Sequence, residues 1–459
     1  MHKGDTTFEP GTQDLPDKRI SRRRMLQLGG AAAAAAAVAT VAPGAAGATA
    51  RRSTFFNKNL SKPVQLSIVI MGTSTYSALW TAVTRQFEAL YPNVKLTVIF
   101  IPAPTWSAYV DDLKVRIASG EIPDVISVAT EGMYPLAQTG ILEPLNAYID
   151  NDKAYIDSYF AAVNSNFPAW TKLATPPGPD TYYLPGEANS MCMWLNMKLY
   201  REAGLDVPDA NWTWDDFETN ARAIKAKTGA YGYTCDYGSF QGIQSWLQTN
   251  GGNQMSADWK TITMDSPENG ETAEFIQKLI KDGLAVAPSP SFDDFAYQAK
   301  AKVGMVGCGR WEIIEARQYG VIDDLRIVQF PIKKQHASPV GWDTAAITTT
   351  SPNKEIGWEL VKYLTSVEYG KLYAVTPSPA IPARTAIAES SLFTRNSPVG
   401  TTELLTALDY ATPIPSPKNN DAIENTLQTG WADIVTGAIS VSAGLQQLQE
   451  KMSEQLAAS

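Results

Sequence analysis

The chain has 459 residues, 44% hydrophobic and 19% charged, with a formal net charge of −9. That is ordinary globular composition, with apolar material for two or three domains. The acidic balance argues against a nucleic-acid binder, which would present a basic face. The N-terminal segment reads as an address. Ser21-Arg22-Arg23-Arg24-Met25-Leu26-Gln27 is close to a twin-arginine export signature, and an apolar stretch follows from Met25 to about Val41. The stretch is too weakly apolar for a good membrane span and ends at Pro43-Gly44. Ala48-Thr49-Ala50 offers a small-x-small cleavage pattern, giving a signal peptide over residues 1–50 and an exported, periplasmic chain. An uncleaved anchor is the other reading. No cysteine follows the apolar run, which argues against a lipid anchor. His336 is the one histidine outside this leader, so a zinc centre or a histidine-dependent hydrolase would rest on it alone. Cys192, Cys235 and Cys308 lack metal-site spacing and read as buried small residues.

Val64 to Ile70 is a β-rich run ending at Gly72-Thr73-Ser74. Leu79, Val83, Phe87 and Leu90 recur at helical spacing and predict an amphipathic helix, broken by Pro92-Asn93. Val94 to Ile101 is the next strand, Trp106 to Ser119 the next helix with Gly120 as its stop, and Val125 to Val128 the third strand. The alternation implies parallel strands with helical crossovers. Such sheets bind ligands at the carboxyl ends of their strands, here Gly72-Thr73-Ser74 and Ala129-Thr130-Glu131. Asn164 to Asp180 reads as a loop. Tyr182 to Pro185 and Met191 to Asn196 read as strands separated by a polar break, Gly186-Glu187-Ala188-Asn189-Ser190, which suits a hinge crossing. Thr213-Trp214-Asp215-Asp216 predicts a helix start with Thr213 as N-cap, so Trp212 and Trp214 read as structural. A second α/β run extends to about Pro331, with a strand at Lys302 to Val306. Val340 to Thr348 is a strand and Glu355 to Ser366 a helix. Ala411 to Pro417 is a proline-rich crossing, and Ala422 to Leu456 is helical.

Several short motifs stand in a telling order. They are Phe87-Glu88-Ala89-Leu90-Tyr91-Pro92, Ser119-Gly120-Glu121-Ile122-Pro123-Asp124-Val125 and Gly140-Ile141-Leu142-Glu143-Pro144-Leu145. Leu195-Asn196, Ala203-Gly204-Leu205, Thr213-Trp214, Asn250-Gly251-Gly252 and Gly309-Arg310-Trp311 follow. Together they resemble the family-1 extracellular solute-binding proteins, the maltose-binding-protein-like components of ATP-binding-cassette sugar importers, from about Val64 to about Leu448. The resemblance implies an α/β, two-lobed periplasmic-binding-protein fold of type II, with hinge strands joining the lobes and the ligand cleft between them. Lobe one is expected at about 60–187 plus 345–390, and lobe two at about 190–340 plus 395–459. The implied role is that of a monomeric, non-enzymatic receptor without cofactor or metal. It would capture a sugar, oligosaccharide or polyol and deliver it to the permease subunits of an ABC-type importer.

Contact residues follow from the same resemblance. The first-strand loop offers Thr73 and Ser74. Glu131 could accept two sugar hydroxyls, or serve as the acid of a helix N-terminus. Glu187 and Asn189 lie in the hinge segment, and Ser239 and Gln241 in the second lobe's contact loop. Tyr237 and Phe240 read as platform or core. Trp311 falls in the family's stacking position, with a lobe-core indole as the alternative. Trp342 is a second platform candidate and Asp343 a hydroxyl acceptor. Arg310 either pairs with an acid or meets an anionic group of the ligand. Two other functions fit the sequence. One is a same-fold receptor for a charged solute, such as a phosphorylated polyol, a polyamine or an iron complex. The other is a secreted carbohydrate-active enzyme using two of Glu131, Glu187 and Asp343.

Overall fold

A computed structural model describes residues 63–72, 77–103, 106–376, 379–395 and 397–458. The leader and the Thr73-Ser74 pair therefore lie outside the described residues. The first elements are β1 (Val64–Met71), α1 (Ser77–Leu90), β2 (Val94–Ile101), α2 (Trp106–Ala118), β3 (Val125–Ala129) and α3 (Thr130–Ala137). β1 pairs in parallel with β2 from Val64↔Val94 to Met71↔Ile101, and with β3 through Ile68↔Val125 and Val69↔Ile126. The crossovers are helical as the alternation predicts, and α1 buries its expected stripe of Leu79, Val83 and Phe87. The Pro-Asp motif before β3 has a structural role. Asp124 accepts from the backbone N–H and hydroxyl of Ser67 at 2.8 and 2.9 Å. Its other oxygen accepts from the Ser351 hydroxyl at 2.6 Å and the Asn353 amide at 3.1 Å. One carboxylate thus clamps β1 to the loop entering a distant helix, with its buried lone pairs satisfied.

The chain continues through α4 (Phe167–Leu173), β4 (Pro185–Ser190), β5 (Cys192–Asn196), α5 (Trp214–Thr228), β6 (Tyr231–Thr234) and α6 (Pro267–Lys281). Next come β7 (Ala285–Val286), β8 (Val303–Cys308), β9 (Leu325–Val328), β10 (Ser338–Ile347), α7 (Lys354–Leu364), α8 (Val367–Val375), β11 (Ile381–Pro382) and β12 (Ala411–Pro413). Helices α9 (Asn420–Thr436) and α10 (Val441–Ala457) close the chain. The first sheet has the order β11-β4-β10-β3-β1-β2, with β12 beside β10, and the second has the order β7-β6-β8-β5-β9. The chain passes from one sheet to the other at Met191, the residue between β4 and β5, and returns along β10, which lies in the first sheet along its whole length. The Ser338 hydroxyl holds the two passages together. It accepts from the Met191 N–H at 2.8 Å and lies 3.2 Å from the Met191 carbonyl.

Three local expectations are corrected. The run Gly186 to Ser190 is not a break but most of β4. Its period is two: Glu187 and Asn189 are part-exposed, while Ala188 and Ser190 are buried. Asn164 to Asp180 is not all loop, because Pro168 is placed early in α4, where a missing N–H costs nothing. The last helical stretch is two helices, parted by Gly437 in the left-handed region (φ 80°) and restarted by the Ser440 cap. Thr213 caps α5 as expected, in a reciprocal box with Asp216. Trp212 and Trp214 are buried, their indole N–H groups bonded to the Gln329 carbonyl and the Thr249 hydroxyl. All three cysteines are free and buried.

Candidate functional site

A cavity of about 460 Å³ opens at the carboxyl ends of β1 and β3, within the size range of small-ligand pockets. Its floor is one row of the first sheet. Asp343 on β10 stands opposite Ala129 on β3 and opposite Glu187 on β4, and Gly341 stands opposite Asn189. Directly opposed residues project to the same face, so Glu187 and Asp343 meet over the floor. Glu131 enters from the first turn of α3. A Cβ at Gly132 would lie 2.5 Å from Val110 and 2.8 Å from Val128, so only glycine lets α3 settle this close to α2 and β3. Thr130 fixes the helix start to β10, accepting from the Trp342 N–H at 2.8 Å and donating to its carbonyl at 3.2 Å.

The opposite wall is aromatic and comes from short helical turns that follow β6 and β8 of the second sheet. Phe240 and Trp311 lie with ring centroids 5.7 Å apart. A Cβ at Gly309 would come within 2.2 Å of the Trp311 ring, so the glycine lets the indole fold back over the backbone. Trp80, Trp106, Tyr369 and Tyr373 complete the aromatic lining. Asn189 joins the two sides. It accepts from the Arg310 N–H at 3.1 Å and donates to the Pro379 carbonyl at 3.2 Å.

Of the expected contacts, the cavity gathers Glu131, Glu187, Asn189, Trp311, Trp342 and Asp343. Thr73 and Ser74 lie outside the described residues. Ser239 and Gln241 are not among the lining residues. Ser239 is buried and donates to Glu424 on α9 at 2.5 Å, while Ser107 on α2 donates to the other Glu424 oxygen at 3.3 Å. Glu424 thus ties the second lobe's loop to a helix of the first sheet. Trp342 is 1% exposed and stacks on Trp170 of α4 at 6.0 Å, so its indole faces the core. The Arg310 guanidinium is turned away, 4.0 Å from the Phe393 ring and bonded to Ser397 at 3.0 Å. Sequence reasoning missed Trp80, Trp106, Tyr369 and Tyr373 as lining residues. The i, i+4 spacing of the two tyrosines puts them on one helix face, a usable clue.

The electrostatics of the floor are one-sided. Burial pushes Glu131 up to about 8, helped by the charges of Glu424 and Asp343. Burial and then the Asp343 charge hold Glu187 well above the carboxylate range. Burial pushes Asp343 up to about 6, opposed by a hydrogen bond from Glu187. Burial also raises Glu424, opposed by the two serine hydroxyls. Among the described residues no Lys, Arg or His lines the cavity, and no cluster of three or more His, Cys, Asp or Glu could hold a metal. Among the described residues, too, no helix is long and apolar enough to cross a membrane.

Two sheets flanked by helices, joined by short crossings and enclosing a polar and aromatic cleft, define a two-lobed binding protein. The sequence profile described as bacterial extracellular solute-binding protein matches residues 72–371. The chain belongs to that family. It is 24% identical over 322 residues to the multiple sugar-binding protein of Streptococcus mutans, covering 65% of this chain and 70% of that one. An ABC substrate-binding protein of Listeria monocytogenes, solved in complex with cycloalternan, superposes with a TM-score of 0.75 at 19% identity. The match covers 86% of this chain and 99% of that one. The sugar-binding protein MalE of Xanthomonas citri superposes with a TM-score of 0.72 at 18% identity, covering 86% of this chain and 98% of that one. At these identities the structural matches establish the fold alone.

Proposed function

We propose that the chain is an exported receptor that captures a sugar, oligosaccharide or polyol and delivers it to the permease subunits of an ABC-type importer. The observation that carries this reading is the composition of the cleft: a carboxyl and amide floor under aromatic walls, facing each other across the two sheets. Carboxyl and amide groups serve sugar hydroxyls, and indole faces pack on the apolar faces of sugar rings. The first-sheet segments form one lobe. The second-sheet segments with the C-terminal helices form the other. Thr73 and Ser74 join the contacts from the loop after β1, and a twin-arginine signal peptide over residues 1–50 supplies the export route. The receptor acts as a monomer and without cofactor.

For the Glu187–Asp343 pair, geometry disfavours the enzyme reading. Glycosidase carboxyl pairs stand about 5 Å or more apart to flank the scissile bond. Glu187 and Asp343 instead hydrogen-bond each other across adjacent strands. A phosphorylated polyol is disfavoured by the absence of any cation among the described lining residues. The test is calorimetry against a panel of mono- and oligosaccharides, followed by prolonged incubation. Saturable binding without turnover supports the receptor. Product release, or binding of phosphorylated compounds alone, would sink it.

A further inference from the structure

Donors and acceptors in the cleft do not balance. Glu131, Glu187 and Asp343 all line it, and none is in ion-pair contact with a Lys or Arg among the described residues. Every residue between 63 and 458 that lies outside the described set is uncharged by sequence. Among the described residues Glu187 meets only Asp343 and the Tyr373 hydroxyl, and its Oε2 is buried. The remaining amide, Asn189, already gives one N–H to the Pro379 carbonyl and accepts from the Arg310 N–H. Beyond the protons that the raised carboxyls hold and one Asn189 N–H, the groups left to donate are neutral hydroxyls and indoles. A neutral sugar brings more acceptors than donors, and this carboxyl-rich floor would leave many of its acceptors poorly served. An ammonium group brings three donors and no acceptor. The aromatic wall suits it too, because ring faces attract a cation.

We propose that the cleft is built for a sugar carrying a basic nitrogen, an amino sugar or aminocyclitol whose ammonium sits among Glu131, Glu187 and Asp343. This rests on the sugar-receptor reading and narrows its substrate class. The titratable groups facing that position are Glu131 from α3, Glu187 from β4, Asp343 from β10 and Tyr369 and Tyr373 from α8, with Glu424 of α9 behind Glu131. A bound cation favours the ionised form of each carboxyl, so binding expels protons.

The test is titration calorimetry of the purified protein with matched probes: glucosamine against glucose, galactosamine against galactose, and chitosan disaccharide against cellobiose. The N-acetyl forms supply a nitrogen without charge. The expected result is one amino member binding at least about tenfold tighter than both its hydroxyl and N-acetyl partners, the low end for a desolvated charge pair. Its heat should depend on the ionisation enthalpy of the buffer, as proton release requires. Asp343→Asn and Glu131→Gln should each shrink that ratio while the melting temperature of the free protein reports an intact fold. Equal or tighter binding of the neutral partners would overturn the inference and leave the sugar-receptor reading standing. Failure of every amino member overturns it as well. Spermidine binding with no saccharide bound would bring down both.

Discussion

Lys362 is sealed inside the protein at 1% side-chain exposure, held by Asp152 at 2.6 Å and Glu359 at 2.9 Å. Glu359 in turn accepts from the Tyr91 hydroxyl at 2.6 Å. Removing one partner of such a set leaves an uncompensated buried charge. Lys362→Met should therefore cost about 3–5 kcal/mol in urea unfolding. Adding Glu359→Gln should recover part of that loss, and a strictly additive double mutant would show that the pair does not interact. Trp311 calls for the opposite experiment. It is part-exposed, folded over Gly309 at the cleft wall, and no core depends on it alone. Trp311→Ala should weaken ligand binding by more than about 1 kcal/mol, within the range of stacking contacts, with little change in melting temperature. A loss of about 3 kcal/mol or more in stability would instead make it a core residue.

Helix α5 shows how local chemistry fixes an element. Thr213 and Asp216 satisfy each other's backbone N–H groups, and the helix ends at Gly229 with a φ of 75°. Thr213→Ala should lower stability by about 1 kcal/mol without changing ligand affinity. An unchanged denaturation midpoint would show that the tertiary burial of Trp214 and Phe217 alone holds the helix. Such elements were legible because their cause is local: a cap, a stripe, a glycine stop. Strand β4 was not. Its Gly-Glu-Ala-Asn-Ser run has the composition of a turn, and its extended form comes from two neighbouring strands distant in sequence, β10 and β11. The site divides in the same way. Glu131 and Trp311 could be placed from the strand or turn that precedes each. That Glu187 stands opposite Asp343 is a fact of register between segments more than 150 residues apart, and nothing local encodes it. Ser239 misled because position in a loop does not say which way a hydroxyl turns.

Over the whole molecule the raised carboxyl groups make stability depend on pH. Burial raises Glu131 to about 8 and Asp343 to about 6 in the folded state, and burial with neighbouring charge raises Glu187 and Asp294 as well. A folded pKa above the unfolded value means the native state holds its protons more tightly. That contribution is fully present below the ordinary carboxylate range and is lost as pH rises through the folded values. The empty protein should therefore melt higher at about pH 5 than at about pH 8, and Glu131→Gln should flatten the upper part of the curve. A melting temperature that climbs from acid to neutral would contradict these shifts. The floor of the cleft belongs to this balance, because its carboxyls line a cavity that has no cation among the described residues. A free form that closes unaided would have to shut its floor carboxyls away from water uncompensated, which favours opening until something fills the space.

The three thiols extend the consequence of burial into time. Cys192 and Cys308 face each other across β5 and β8 with no exposed surface, Cys235 lies nearby at 5%, and burial raises the pKa of all three. Only a thiolate reacts, so the native molecule is silent toward alkylating reagents. Each labelling event then records an opening of the second sheet, and the rate of tagging in plain buffer becomes a clock for unfolding that needs no denaturant and no introduced probe.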